Sequence, residues 1–220
     1  MIVHKELIQK SEEWHKLRHG KIGGTTSSGL FVKSDALFES LLVDHIEPFV
    51  EGQEEPWLSA DVQRGNDLEP QARAELSLYT GVDFQEFGLI QSTRCKLLTL
   101  SPDGLSEDLT IGCEIKCPAG KAHYRMIKDN EAALEYHLQI PHYFAVNHKL
   151  EVLYFASFRP EFTLKPLFVK KYTKDSLVNV GTKAKPIMKP IELVAIEINS
   201  LGLQMEEKIE NEIILLNNDF

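Results

Sequence analysis

The chain predicts a single α/β or α+β domain in which a small sheet has helices before, between and after it. Three observations carry that expectation. Helical periodicity governs the stretches before about residue 80 and after about residue 120. Short apolar or alternating runs bounded by turn residues fill 82–118. The 220 residues, 43% of them hydrophobic, suffice for one sizeable core, and no repeat or linker divides the chain.

Taken in order, Ser11 followed by Glu12 and Glu13 starts a short helix that Gly20 is placed to end. Asp35 is expected to cap a second helix over 36–50. After the polar loop EGQEEP, a third helix is expected near 66–81, closed by Gly81. The runs 82–91, 95–104 and 110–118 read as an antiparallel meander. Two helices follow, 122–130 and 131–147, then strands at 151–158 and 165–172. A long amphipathic helix from about Ile191 to Leu216 closes the chain, and the proline-spaced TKAKPIMKP, 182–190, is the expected mobile loop.

Composition narrows the function. No apolar run approaches the roughly 18 residues needed to span a bilayer, and the first residues lack the basic start and apolar middle of a secretory signal, so a cytoplasmic protein without membrane contact is expected. Cys95, Cys113 and Cys117 are too few for a disulfide scaffold or a four-cysteine site and read as free, mostly buried thiols. A net charge of −9 argues against coating the whole surface with nucleic acid. Basic residues nevertheless concentrate in two stretches, His4 to Lys21 and Lys165 to Lys189. Either a DNA groove or solvated lysine faces would account for them.

The chemistry concentrates in SPDGLSEDLTIGCEIKCP, 101–118. An aspartate in a turn, then Glu-x-Lys on a strand about ten residues later, suits a magnesium-dependent phosphodiesterase, because Mg²⁺ takes one or two protein carboxylates and leaves its other positions to water and phosphate. Asp103 and Glu114 would supply the carboxylates. Strand alternation sends Glu114 and Lys116 to one face, while Ile115 points into the core and offers its carbonyl. The Lys116 ammonium would then orient the attacking hydroxide or stabilise phosphorane charge. Acid-x-Lys triplets also arise by chance. The chain's other one, Glu206 to Lys208, lies on the closing helix and is read as solvated.

Read together, WHKLRHGKIGGT (14–25), GNDLEPQAR (65–73), SPDGL (101–105), EIKCP (114–118) and YHLQIP (136–141) resemble the ordered motifs of the bacteriophage lambda exonuclease family, the YqaJ-type viral recombinases. The match covers about 12–160, leaving 161–220 as a strand and helix extension of one nuclease domain, 1–220. The resemblance implies the restriction-endonuclease-like PD-(D/E)XK fold, a central mixed sheet flanked by helices. By the same resemblance Asp103, Glu114, the Ile115 carbonyl and Glu69 bind Mg²⁺, with Mn²⁺ as an alternative. Lys116 is the catalytic lysine, and Gln139 positions the attacking water, with Tyr136 before it on the same helix. Arg18 receives a DNA 5′-phosphate, aided by Thr25 where the family usually has serine.

Each residue also has a plainer account. Arg18 and GKIGGTTSS suit a phosphate through a planar fork and close backbone approach, or form a capped helix end and a turn. Glu69 is four residues from Arg73, an ordinary helical ion pair, and Gln139 is a polar position on an amphipathic helix. Pro141 replaces a family glutamine and is expected to distort or end its helix. His137 and His142 lack zinc-site spacing and read as histidines at the surface or behind the site; His123, just after the catalytic strand, could touch DNA. Trp14 and Trp57 read as core or interface aromatics.

The resulting expectation is a hydrolase of DNA recombination: a Mg²⁺-dependent exonuclease digesting one strand of linear double-stranded DNA, 5′ to 3′, in a bacterial or phage-infected cell. Its 3′ overhang would feed a single-strand annealing recombinase. The lambda member is a ring-shaped homotrimer, which this sequence neither shows nor excludes. A restriction or structure-selective endonuclease, and a non-catalytic DNA-end-binding module, remain the alternatives. An iron–sulfur branch of the family is excluded by the cysteine count.

Overall fold

The computed structural model describes residues 1–52 and 59–218; Trp57 and most of the EGQEEP loop lie outside them. The chain runs β1 (Ile2–His4), α1 (Glu12–Arg18), α2 (Ser28–Phe31), α3 (Asp35–Ile46), α4 (Ala60–Thr80), β2 (Leu89–Gln91), β3 (Thr99–Leu100), β4 (Gly104–Leu105), β5 (Ile111–Lys116), α5 (Gly120–Asp129), a 3₁₀ turn (Leu134–Tyr136), α6 (Gln139–Val146), β6 (Val152–Phe158), β7 (Leu167–Thr173), β8 (Leu177–Asn179), β9 (Met188–Pro190) and α7 (Ile191–Asn218).

Local chemistry fixes many of these boundaries. The Ser11 hydroxyl accepts the Trp14 amide to cap α1. Ser34, not Asp35, caps α3, because its hydroxyl accepts the Leu37 amide while Asp35 is already the first helical residue. That helix stops at Ile46, short of the expected 50, since the residue before Pro48 is pushed out of the helical region. Ser59 caps α4, which begins six residues before the expected Asn66 and carries both Gly65 and Pro70 inside it; Gly81 closes it in the left-handed conformation.

The expected meander is instead split between two sheets. β2 pairs antiparallel with β1 and β3, whereas β4 pairs antiparallel with β5 in a separate four-stranded sheet of order β4-β5-β6-β7. The break falls at 101–103, where the chain leaves one sheet for the other. β5 and β6 are parallel, with Glu114 opposite Phe155 and Lys116 opposite Ser157, and β6 and β7 are antiparallel, so the central sheet is mixed. A parallel pair needs a long crossover, here the α5–α6 segment.

Alternation on β5 and β6 divides the core. Cys113, Ile115, Ala156 and Phe158 pack with Ala72 and Leu76 of α4 on one face. Leu153 and Phe155 face the larger cluster built with α6 and α7, including Ile140, Tyr143, Val194 and Ile198. The sheet is therefore layered between helices, the arrangement that apolar strand faces require.

Two further expectations change. Residues 131–147 form a 3₁₀ turn and then α6 rather than one helix, so Tyr136 and Gln139 do not share a helix. Pro141 neither ends nor distorts α6: it sits in the first turn, where its missing N–H has no partner to lose. The 182–190 segment is not an open loop, because β9 pairs with β8 and the Val180 amide donates to the Ile187 carbonyl at 2.9 Å. Among the described residues no helix is long and apolar enough to cross a membrane.

Candidate active site

Asp103 lies in the break between the sheets, immediately before β4. Because Gly104 pairs with Cys113, the Asp103 carboxylate reaches β5, where its Oδ2 accepts the Ile115 amide at 2.6 Å. Alternation places Glu114 and Lys116 on the face opposite Ile115, as the strand pattern predicts. Glu114 is only 2% exposed and forms an ion pair with Lys116 through Oε1. Glu69 comes from α4, its carboxylate held at 2.8 Å by Arg73.

Asp103, Ile115, Lys116 and Glu69 line one cleft of about 400 Å³, with Asn66 and Tyr136 on its wall. The sequence motifs from α4, the β3–β4 break and β5 thus converge. The Lys116 ammonium lies 5.4 Å from the centre of the Tyr136 ring, so Tyr136 flanks the cleft from the 3₁₀ turn.

The electrostatics are those of a charge cluster taken out of water. Burial first, and then the Glu114 carboxylate, push the Asp103 pKa well above the usual carboxylate range. Burial alone would lower the Lys116 pKa, but Glu114 and Asp103 outweigh it and the net shift is upward. Burial lifts the Tyr136 phenol to about 12.

Among the described residues no three His, Cys, Asp or Glu side chains are gathered closely enough to cage a metal unaided. The donors present nevertheless fit a hard divalent cation. Burial and the neighbouring Glu114 charge make an ionised Asp103 costly without a cation, and the buried Glu114 Oε1 is met by the Lys116 ammonium. An oxygen set of this size, completed by water and phosphate, is how Mg²⁺ is usually held.

A second group of predicted residues meets at the Gly23-Gly24 loop. The Arg18 guanidinium stacks on the Trp14 ring, 4.0 Å from its centre, and no carboxylate among the described residues pairs with it. Burial lowers its pKa. Trp14 is tied back to the Asp103 turn, donating from Nε1 to the Gly88 carbonyl at 3.2 Å and the Ser101 hydroxyl at 3.1 Å. A side chain at Gly23 would come within 3.1 Å of Arg18, and one at Gly24 within 3.0 Å of Gln139, so both glycines serve close approach. Thr25 is exposed and does not hold this loop; Thr26, bonded to Gly23, and Ser27, bonded to the Gly24 and Leu138 carbonyls, do so.

The histidines are structural. His123 is fully buried between the Ser157 hydroxyl and the Lys165 carbonyl and cannot reach DNA. His137 and His142 are buried rather than at the surface, each holding a main-chain carbonyl, of Ala132 and Thr99 respectively. Two residues join the parts of the site: Arg73, read from the sequence only as the helical partner of Glu69, and Tyr143, not singled out there. Arg73 bonds Glu69, Glu86 and the Asp103 carbonyl, and Tyr143 touches Glu114. The Glu69–Arg73 spacing was visible in the sequence; no pattern foretold Tyr143.

The family model for a YqaJ-like viral recombinase domain matches residues 13–149. No curated protein matches the sequence. Among solved structures, the chain is similar to the alkaline exonuclease LHK-Exo from Laribacter hongkongensis, with a TM-score of 0.74 and 26% identity over 95% of this chain and 97% of that one. It is equally similar to LHK-Exo in complex with dAMP, with a TM-score of 0.75 and 25% identity over the same shares of each chain.

Proposed function

Because the chain belongs to the YqaJ-like viral recombinase domain family, we propose that it is a Mg²⁺-dependent exodeoxyribonuclease that digests one strand of linear duplex DNA from 5′ to 3′, leaving a 3′ overhang for recombination. The fold is that of the PD-(D/E)XK nucleases, and the likeness to an alkaline exonuclease supports a deoxyribonuclease. We read all of 1–220 as one nuclease unit, since β7 completes the central sheet and α7 closes the main core.

Asp103 and Glu114, with the Ile115 carbonyl and Glu69, would hold the cation. When bound it supplies Lewis-acid stabilisation of the phosphate and makes water a better nucleophile. Lys116, kept protonated by its carboxylate neighbours, offsets the charge that develops on the phosphate. Gln139 lies one turn before Tyr143 on α6 and so on the face that meets Glu114; its amide orients the attacking water. Arg18, a half-buried cation that pairs with no carboxylate among the described residues, receives the terminal 5′-phosphate, with the exposed Thr25 hydroxyl free to join it. A single-strand annealing recombinase would take the product, and a closed homotrimer would retain the DNA between cuts. The setting would be the cytoplasm of a bacterial or phage-infected cell.

The single observation carrying this reading is the 2.6 Å bond from the Ile115 amide to Asp103, which sets the turn carboxylate beside the Glu114 and Lys116 strand. The test is digestion of a linear duplex with a 5′-phosphate at one end and a 5′-hydroxyl at the other, alongside a closed circle and Glu114→Ala. Mg²⁺-dependent loss of the phosphorylated strand is expected, with the circle intact and the variant slower by about a thousandfold or more. A nicked circle would assign an endonuclease instead, and no cleavage of any substrate would leave a binding module.

A further inference from the structure

One buried polar group at the site has no part in the chemistry above: the hydroxyl of Tyr143, on α6. We propose that Tyr143 is a positioning residue whose single hydroxyl joins the Asp103 turn to the Glu114 carboxylate and so presets both carboxylates for a divalent cation. The inference rests on the metal reading of the preceding section.

The Tyr143 ring is 1% exposed and belongs to the main apolar core, so its position along the sheet is set by packing. Its hydroxyl lies 2.6 Å from Glu114 Oε2 and 3.1 Å from the Cys113 carbonyl, and the Asp103 amide approaches it at 3.4 Å. A phenol has one proton to give. The short, charge-assisted contact takes it, so Tyr143 donates to Glu114 and uses a lone pair to accept from Asp103. The Cys113 carbonyl is then a secondary neighbour.

Two consequences follow for the carboxylates. With Oε2 held from the α6 side, the Glu114 side chain has one orientation, in which Oε1 faces the Lys116 ammonium. The Asp103 main chain is held at its amide by Tyr143, while its carboxylate is held by the Ile115 amide, so the turn is fixed at two points. One hydroxyl thus links the Glu114 carboxylate to the main chain of the Asp103 turn. Outer partners of this kind orient ligands and tune their affinity for metal.

The test is Mn²⁺ titration by calorimetry, without DNA, on the wild type, Tyr143→Phe and Tyr172→Phe. Tyr172 is the matched control: it is equally buried, and its hydroxyl donates to Glu131 instead. Tyr143→Phe should weaken Mn²⁺ binding roughly ten- to a hundredfold, with Tyr172→Phe within about twofold of wild type. Cleavage by Tyr143→Phe should recover as Mn²⁺ is raised, which a general packing defect would not allow. Unchanged Mn²⁺ affinity in Tyr143→Phe, or equal weakening in both variants, would overturn the proposal. Absence of Mn²⁺ binding by the wild type would instead remove the metal reading beneath it. Should Tyr143→Phe not fold, difluorotyrosine incorporated at 143, a stronger donor of the same shape, must shift the Mn²⁺ affinity; no shift overturns the proposal equally.

Discussion

Arg73 Nε donates to the Asp103 main-chain carbonyl at 2.6 Å while its Nη2 holds Glu69 at 2.8 Å, so one guanidinium spans α4 and the Asp103 turn. Three directed bonds, the third to Glu86, use the planar fork in a way that an ammonium cannot copy. Arg73→Lys should therefore keep the fold but lose about ten- to a hundredfold in cleavage rate. Arg73→Ala should also lower stability by about 2 kcal/mol, because it strands a carbonyl and a half-buried carboxylate. Urea denaturation and steady-state digestion separate the two effects.

Arg18 should discriminate between DNA ends. Its guanidinium is fixed by the Trp14 ring, and a lysine would keep the charge but lose both the stacking and the bidentate reach. Arg18→Lys is expected to reduce the preference for a 5′-phosphate over a 5′-hydroxyl by about tenfold. Competition between the two ends of one labelled duplex measures this, and an unchanged preference would remove Arg18 from end sensing.

The Gly24 backbone approaches Gln139 so closely that a side chain must move it. Gly24→Val should displace Gln139 and lower the cleavage rate by up to about a hundredfold, the usual cost of misplacing a group by an ångström. Thermal stability should change little, since Gly24 is only partly buried in a loop. A rate near wild type would show that Gln139 is not needed at its present position.

Acid should weaken the fold through His142. Burial depresses its pKa from 6.5 to about 4, so it is neutral in the folded protein while the unfolded chain binds a proton below 6.5. The unfolded state therefore gains protons as pH falls from 6.5 toward 4. Stability present above pH 6.5 is lost across that window, by up to about 3 kcal/mol. His142→Gln, which keeps an N–H for the Thr99 carbonyl, should show a shallower loss between pH 7 and pH 4.5 in denaturant titrations. An equal slope would assign the acid sensitivity to other groups.

What the sequence made legible was local. Pro-Asp-Gly followed by an alternating strand placed Asp103, Glu114 and Lys116 together because turn chemistry and a period of two act over a few residues. The start of α4 was hidden by Gly65, which costs a helix interior about 1 kcal/mol relative to alanine. Burial of Ala72 and Leu76 against β5 helps offset that cost, and only the fold displays it. The split meander was invisible for the same reason, since antiparallel and parallel partners read alike along a single strand. The tie from Arg73 to the Asp103 carbonyl spans 30 residues, and that from Tyr143 to Glu114 spans 29. Neither has a period or spacing that a sequence could reveal.

The parallel pairing of β5 with β6 also sets when the central sheet can first be completed during synthesis. The crossover that lets those strands meet is the segment bearing Gln139 and Tyr143, so Ile111 cannot pair with Val152 until α6 has left the ribosome. A nascent chain that ends before β6 has Asp103, Glu114 and Lys116 on the β4–β5 pair alone, without the strand that flanks β5 on its other side. Closure of the central sheet therefore waits on a contact of high sequence separation, which makes it a late event in folding.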